Sequence, residues 1–179
     1  LDQVTVGDFT LQTGQQLVFG SGLGLGKGAM TVRSVGRSQQ GVRPYTSAIE
    51  GGFFRGTAVS FKIPYTRDRL SLTAFYSSTQ RHASLKYDSI AEAIHFNTID
   101  QSGLFRTQTE LQKKNQVGEQ TTGINLFYTN RFQNLQAGIN FLNLRYSVPQ
   151  LPNQRLYKAV GFRGSHHQIA SSYFTFQKE

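Results

Sequence analysis

The sequence predicts an all-β protein: a transmembrane antiparallel β-barrel, part of a larger barrel, with long loops and one short loop helix. Apolar residues occupy every second position in several strand-length segments, such as 56–63 and 70–77. Side chains alternate across a strand, so each segment has one apolar face. No apolar run approaches the ~20 residues that a membrane helix needs, which excludes a helical span. The alternation also fits a soluble sandwich, whose interior would have the opposite polarity.

The composition is compatible with both environments. The chain has 179 residues, enough for one domain with its own core and hardly enough for two. Nineteen Lys and Arg against ten Asp and Glu give a net charge of +9. This excess favours binding of polyanions, or it is simply a basic surface in contact with water. Polar character comes mainly from Gln, Asn, Ser and Thr, which suit a hydrated barrel lumen. The absence of cysteine excludes a disulfide framework and thiolate metal sites.

The first third of the chain contains a glycine-rich, basic segment. Strands are predicted at 4–11 and 15–19, and the glycine-dense run 20–30 follows them. We interpret 20–55 as an ordered loop or plug within a single, incomplete barrel region that covers 1–179. Its charged residues are Lys27, Arg33, Arg37 and Arg43, then the carboxylate Glu50, then Arg55.

This basic cluster has two interpretations. Its members would line a lumen or rim that attracts anionic solutes. Alternatively, Arg33, Arg37 or Arg43 would pair with Glu50 inside the barrel and hold the plug in place. The second, structural interpretation is favoured.

The middle of the chain predicts a hairpin and a weaker strand pair. Strands 56–63 and 70–77 are joined by a turn at 64–68, in which a proline fixes one backbone torsion. The weaker pair follows at 83–88 and 93–97.

Around Arg106 the pattern changes to that of a helix start. Thr107 and Glu110 have the spacing of a capping box, in which each side chain accepts a hydrogen bond from the other residue's backbone. The predicted helix is short, about 108–115, and too polar to bury any face. We expect it in a surface loop.

The clearest hairpin lies in the C-terminal half. Strands 122–130 and 135–146 alternate well and are separated by a short polar turn. A phase slip at 141–142 predicts a β-bulge. Pro149 and Pro152 are expected to end the second strand.

Two further strands at 156–162 and 168–176 bring the total to about eight. Short turns near 64–68 and 131–134 alternate with long connections, which is typical of outer-membrane barrels. Aromatic residues near predicted strand ends would form the interfacial girdle of a barrel or the core of a soluble fold; they are Phe53, Phe54, Tyr128, Phe132, Tyr146, Tyr173, Phe174 and Phe176.

No motif for nucleotide binding, metal binding or catalysis is complete. Ser21 and Gly28 stand where a phosphate-binding loop needs a glycine and a hydroxyl residue. His166 and His167 are adjacent in a predicted strand, so they face opposite sides and could not share one ion. Ser165 has no positioned acid partner and no nucleophile elbow around it. We expect no enzymatic activity, no cofactor and no metal.

Two blocks of residues carry a resemblance to a known family. They are Arg43, Pro44, Tyr45, Glu50, Phe54, Arg55 and Gly56, and then Ser102, Gly103, Arg106, Thr107 and Glu110. Nearly the whole chain resembles bacterial envelope proteins with helix-hairpin-helix domains, whose larger C-terminal part looks like an outer-membrane β-barrel. The resemblance implies an internal slice of that barrel. The helix-hairpin-helix repeats are not visible here, so DNA would be bound only by a domain outside this chain.

The sequence therefore predicts a segment of a β-barrel protein in a bacterial outer membrane. It would act without catalysis, as a pore, a plugged channel or a scaffold for envelope transport, among outer-membrane lipids and other envelope proteins. The alternative is a soluble all-β module that binds nucleic acid or another polyanion. Lipid exposure of the apolar strand faces, including Val59, Phe61 and Ile63, would count against that alternative.

Overall fold

A computed structural model describes residues 1–14, 18–19, 40–46, 52–65, 68–88, 93–100, 105–151 and 161–177. In these ranges the chain is almost entirely β-structure, which confirms the all-β prediction. The elements are β1 (Gln3–Gln12), β2 (Gly41–Pro44), β3 (Phe54–Tyr65), β4 (Asp68–Asp88), β5 (Ala93–Asp100), α1 (Gln108–Leu111), β6 (Val117–Thr129), β7 (Leu135–Gln150) and β8 (Gly164–Phe176).

Six long strands form an antiparallel meander. Across the sheet they run β1, β3, β4, β6, β7, β8, and each pairs with the next. The short β2 pairs with the far end of β1. The connections β3–β4 and β6–β7 lie at the same end of the sheet, which we call the turn side. The opposite end is the loop side.

On the loop side, four strands close into a ring. β4 has 21 residues; its residues 69–81 pair with β6, and 82–88 pair with β5. β5 then meets β7 through a parallel pairing of Phe96 with Gln150, and β7 returns to β6. The described residues thus contain a closed four-strand barrel core. The sheet is mixed, whereas antiparallel pairing alone was predicted.

A small apolar cluster fills this ring. Ala83, Phe96 and Val117 are almost completely buried there. The Phe96 ring meets the Tyr146 ring edge-on, with centroids 5.2 Å apart. Removing these side chains from water favours closure because burial of apolar area is the main stabilising contribution in folding.

Burial alternates strictly along the first ten residues of β6. We call the side that carries Thr121 and Asn125 the inner face, and the side that carries Ile124 the outer face. The ladder registers extend both faces to neighbouring strands. Asn125 lies opposite Asn140, for example, and Ile124 lies opposite Phe141.

A second apolar cluster occupies the inner face of the six-strand sheet. Its members are Phe9, Leu11, Phe19, Val42, Ala58, Phe75 and Leu142. Gly123 makes room for it, since a Cβ at this position would overlap the rings of Phe75 and Phe19. Those two rings meet edge-to-face with centroids 5.5 Å apart. The glycine on β6 therefore lets aromatic rings from elsewhere in the chain cross that strand.

The predicted β-bulge at 141–142 is wrong. Phe141 stays opposite Ile124, and Leu142 stays opposite Gly123, with no shift of register. Two apolar residues follow each other because Phe141 lies on the outer face while Leu142 belongs to the inner cluster. Both faces therefore carry apolar groups at this level, and alternation of polarity is not a sufficient guide to register.

Other differences concern element boundaries. Residues 83–88 continue β4 because its ladder passes from β6 to β5. Pro149 does not end β7; it lies where the β7–β8 register shifts, as expected for a residue that cannot donate to a ladder. β2 lies inside the predicted loop or plug. The predicted strand 156–162 falls almost wholly outside the described residues. Of the predicted strand 15–19, residues 15–17 also lie outside them, and residues 18–19 form a bend. The remaining predicted strands are confirmed, and most are longer than predicted.

Candidate functional site

The outer face carries continuous rows of apolar side chains. One row crosses all six long strands, with each residue opposite the next: Val4, Val59, Ala74, Ile124, Phe141 and Ala170. Two more rows follow towards the turn side. Each spans five strands. The first is Phe61, Leu72, Leu126 and Ile139, which ends at the polar Ser172, and the second is Ile63, Leu70, Tyr128, Ala137 and Phe174. We call these three rows the outer band.

Many members of the outer band are exposed. Relative exposure reaches 52% for Val4, 57% for Ile139 and 78% for Phe174. Soluble monomers rarely expose contiguous apolar patches larger than a few hundred Å². A surface that continues across six strands is therefore suited to contact with an apolar environment.

The outer band ends at a polar row on the loop side. Ser78, Gln120, Arg145 and His166 lie opposite one another on the same outer face. On β4, Ser78 in the polar row is the fourth residue after Ala74 in the band. The outer face thus changes from apolar to polar within about 13 Å along the strand, at a rise of 3.3–3.4 Å per residue.

The inner face has the opposite character at many positions. Its buried polar residues include Thr5, Thr73, Ser77, Glu119, Thr121, Asn125, Thr129, Asn140 and His167. Buried polar groups and exposed apolar groups are the informative exceptions in a folded protein. Here buried polar and exposed apolar side chains occur on the same strands. They lie on opposite faces because successive side chains of a strand alternate between the two faces.

A hydrogen-bonded asparagine network joins three inner-face positions. The Asn125 amide donates to the Asn140 Oδ1 at 2.7 Å, and the Asn140 amide donates to the Ser171 hydroxyl at 3.2 Å. The Thr13 hydroxyl also donates to Asn140 Oδ1, at 3.2 Å. Because Thr13 follows β1, this bond fixes the chain after β1 against the inner face of β7.

The chain beyond Thr13 enters the interior. Gly14 lies directly against the Tyr173 ring, and Phe19 is 1% exposed within the inner apolar cluster. The predicted plug began at residue 20, but the residues seen to fill the interior lie just before it. Residues 20–39 lie outside the described part of the chain.

A charged pair lies at the loop side of the inner face. The Arg81 guanidinium contacts the Glu119 carboxylate at 2.6 Å, and the Glu119 side chain is 7% exposed. Glu119 lies opposite Tyr146 in the ladder, and the Tyr146 ring faces His167 at 6.0 Å. A pair this sheltered from water depends on both partners, because loss of one leaves an uncompensated charge.

Two members of the predicted basic cluster, Arg55 and Arg43, lie in the described part of the chain. Arg55 makes two hydrogen bonds to the Asp8 carboxylate, at 2.7 and 2.9 Å, and its guanidinium lies over the Phe53 ring. Arg43 is exposed on β2. The other members, Lys27, Arg33, Arg37 and Glu50, lie outside the described residues. Arg55, expected to face Glu50 and anions, is thus engaged by a carboxylate that the sequence analysis had not considered.

The loop motif is a structural cap. Thr107 is the N-cap of α1, and Glu110 completes the capping box by accepting from the Thr107 backbone at 3.0 Å. The backbone N–H of Arg106 also donates to Glu110, at 2.7 Å. These donors hold the pKa of the Glu110 carboxyl below its usual range. The predicted capping box and surface location are confirmed, although the helix ends at Leu111; Ser102 and Gly103 lie outside the described residues.

Two residues that follow α1, Lys113 and Asn115, anchor this loop to β4. The Ala83 N–H donates to the Lys113 carbonyl at 3.0 Å, and the Asn115 N–H donates to His82 Nδ1 at 3.0 Å. These bonds fix the loop that carries Thr107 and Glu110 to the loop side of β4.

The histidine pair divides between the two faces, as predicted. His167 is buried on the inner face, whereas His166 lies on the outer face and contacts Asn143 Oδ1 at 2.5 Å. Among the described residues there is no cluster of three or more potential metal ligands. In the same ranges no helix is long and apolar enough to cross a membrane.

The predicted aromatic set also divides between the faces. Tyr128 and Phe174 belong to the outer band, and Phe132 and Phe176 are exposed near its turn-side edge. The inner-face members are Phe54, Tyr146 and Tyr173. The girdle and core interpretations each account for part of the set.

Sequence reasoning missed the inner-face polar groups. Arg81, Glu119, Asn125 and Asn140 carry no motif. The available signal for Asn125 and Asn140 was their position between two apolar residues, and Arg81 and Glu119 had no such signal. Comparison with protein-family models, with curated proteins and with solved structures gives no match. The functional argument therefore depends on the geometry of the two faces.

Proposed function

We propose that this chain is part of a β-barrel domain embedded in a bacterial outer membrane, where it acts without catalysis as a plugged channel or a scaffold for envelope transport. The observation that carries the proposal is the outer band, a largely apolar surface of three rows across five to six strands, on a sheet whose inner face is rich in buried polar groups. In a membrane, strands are viable only as a closed barrel, because closure satisfies the backbone polar groups of every strand, so the chain would complete its barrel with further strands.

The dimensions support the proposal. The six strands have 10 to 21 residues, against the ~9–11 residues needed for a tilted membrane strand. On β4 the apolar outer positions run from Leu70 to Tyr76, which is about 20 Å along the strand. Barrels of the outer membrane carry an apolar band about 25 Å tall, and that membrane is thinner than average.

The filled interior favours a plug or scaffold over an open pore. Phe9, Phe19 and Phe75 meet in the inner apolar cluster, and the asparagine network fixes the chain after β1 beside them. Close packing of this kind fills the space along the inner face at the level of the cluster.

The polyanion-binding alternative is less well supported. It would leave Val4, Ile139 and Phe174 in water, and it would draw on the basic cluster, of which Arg55 is already paired with Asp8. Stability in plain buffer would favour the alternative, together with salt-sensitive binding to nucleic acid.

The test is parallel refolding into buffer and into phospholipid vesicles, followed by circular dichroism and vesicle flotation. We expect a cooperative β-signal only with lipid, and recovery of the chain in the floating fraction. A monomeric chain that folds cooperatively in buffer and stays at the bottom of the gradient would refute the membrane proposal. Vesicle swelling in sugars then separates these two roles from an open pore: a plugged channel or scaffold leaves the swelling rate unchanged, whereas an open pore raises it.

A further inference from the structure

A cavity of about 630 Å³ opens on the turn side of the sheet, and most of its lining belongs to the inner face. Lys62, Ser71 and Phe127 lie opposite one another across β3, β4 and β6 in one inner-face row. Arg69 lies opposite Thr129 in the next inner-face row. The volume is in the range of sites for small molecules.

Two cations supply the charge of this inner-face lining. Within the described ranges, no carboxylate lies at ion-pair distance from Arg69. Lys62 contacts Asp2 at 2.7 Å, but the Lys62 side chain is 71% exposed in that pair, and ion pairs in contact with water contribute little to stability. Arg69 can therefore take an external anion without losing a partner, and Lys62 can join it at small cost.

The carboxylate of the cavity lining is engaged on the other face. Ile63, Asp68 and Leu70 are the remaining lining residues described, and the registers place them on the outer face. The Asp68 oxygens accept from the Tyr128 hydroxyl at 2.7 Å and from the Arg131 backbone N–H at 3.0 Å. Because Tyr128 belongs to the outer band, these bonds hold the negative charge away from the inner-face cations.

A hydroxyl and an aromatic ring complete the inner-face lining. The Thr129 hydroxyl donates to the Leu135 carbonyl at 3.4 Å, so the Ser71 hydroxyl is the one with a proton to offer a ligand. Ser71 lies between Lys62 and Phe127 in its row, and the Cβ atoms of directly opposite residues are about 4.5–5.5 Å apart. Cationic donors, a hydroxyl and a ring are thus neighbours on one face, which suits an anionic group attached to a flat ring.

We propose that this cavity binds a small, water-soluble organic phosphate that carries an aromatic ring. The phosphate would contact Arg69, Lys62 and Ser71, and the ring would pack on Phe127. Arginine suits this task because its planar guanidinium presents parallel N–H donors to phosphate oxygens. The inference goes beyond the proposed function and does not depend on it, because all four side chains lie on the face opposite to the outer band.

The experiment is isothermal titration calorimetry of the micelle-refolded chain with phenyl phosphate, inorganic phosphate or phenol, and micelles alone are the blank. We expect one phenyl phosphate to bind per chain, about ten-fold more tightly than inorganic phosphate, because the ring adds a stacking contact. Phenol lacks the anion and should give no heat above the blank.

Two pairs of variants test the contacts. Arg69→Gln should weaken phenyl phosphate binding about ten-fold, because hydrogen bonds to charged groups are the stronger kind. Arg131→Gln is its matched control, since it removes the same charge at the same end of the sheet from outside the cavity lining. Phe127→Leu should abolish the preference over inorganic phosphate, whereas Phe132→Leu, which removes an exposed ring from the neighbouring turn, should retain it.

Equal affinity for phenyl phosphate and inorganic phosphate would overturn this inference. Equal losses in the two arginine variants, or in the two phenylalanine variants, would also overturn it. Circular dichroism of each variant checks that the β-signal is intact. A chain that floats with vesicles but does not bind phenyl phosphate would refute only this inference. A chain that binds phenyl phosphate but never floats would refute only the membrane proposal.

Discussion

The turn-side and loop-side halves of the sheet are built from the same strands but face different surroundings. On the turn side the outer face is largely apolar, from the Val4 row, which spans six strands, to the Phe174 row, which spans five. On the loop side the outer face is polar at Gln120 and Arg145, and β5 closes a ring around its own small apolar cluster. Strands β4, β6 and β7 run through both halves. The environment of a β-sheet is therefore set by which residues occupy one face, and it can change partway along a strand without a change in secondary structure.

The largest loss of unfolding free energy is expected from breaking the Arg81–Glu119 pair in the loop-side half. Glu119→Gln leaves the Arg81 guanidinium without its carboxylate in a sheltered place, and loss of one partner of a buried pair costs about 3–5 kcal/mol of unfolding free energy. The measurement is the urea midpoint of the refolded chain. Arg55→Gln, which breaks a solvent-exposed pair, is the control and should cost about 0–1 kcal/mol. Equal costs would show that the Arg81–Glu119 pair is not sheltered.

The next largest loss of unfolding free energy is expected from a charge placed in the outer band of the turn-side half. Ile139→Lys places a charge in the outer band, where a lipid-facing cation near the membrane midplane costs about 2–4 kcal/mol. Gln120→Lys places the same charge in the polar row and should cost much less. Unfolding titrations in vesicles measure both. A neutral or stabilising effect of Ile139→Lys would mean that the outer band lies in water.

A smaller loss of unfolding free energy is expected from a substitution on the inner face of β6. Gly123→Ala adds a Cβ that overlaps the Phe75 and Phe19 rings, and overpacking of this kind costs about 1–3 kcal/mol. Gly118→Ala is the control, because its nearest neighbour would be the Ser147 hydroxyl at 3.4 Å. If the two variants unfold at the same denaturant concentration, the aromatic rings do not cross β6 at Gly123.

The smallest effect is confined to α1. The pKa of Glu110 is lowered by backbone donors from Arg106 and Thr107, so its carboxylate stabilises the capping box above the pKa of the unfolded chain. That contribution is lost as pH falls through the lower, folded pKa. Hydrogen exchange of the Thr107 amide should therefore gain relative rate in acid, after correction for intrinsic exchange. The Glu110→Gln variant should show no such step; a step in both would assign the change to another group.

Much of this fold was predictable because alternation and turn chemistry act over short distances. The hairpins around Asp68 and Arg131 and the capping box at Thr107 followed from local residues. The closed ring did not, because it depends on one parallel contact between Phe96 and Gln150, far apart in sequence. The apparent bulge at Leu142 arose because apolar residues occupy both faces there.

The candidate site was less predictable than the fold. Charge density pointed to the glycine-rich segment, yet Arg55 is paired with Asp8. The outer band appears only when the registers of β1, β3, β4, β6, β7 and β8 are combined, and the inner Asn125–Asn140 contact requires the same registers. Pairing between strands distant in sequence cannot be read from one strand at a time.

Site-specific labelling tests the central claim most directly, and the chain suits it because it contains no cysteine. Single cysteines at Ile139 in the outer band, Gln120 in the polar row and Asn125 on the inner face would each carry a small environment-sensitive fluorophore in vesicles. We predict that the label at 139 is quenched by a lipid-borne quencher and protected from aqueous iodide, and that the label at 120 shows the reverse. The label at 125 should be protected from the lipid-borne quencher. Quenching of the label at 139 by iodide but not by the lipid-borne quencher would contradict the membrane location of the outer band.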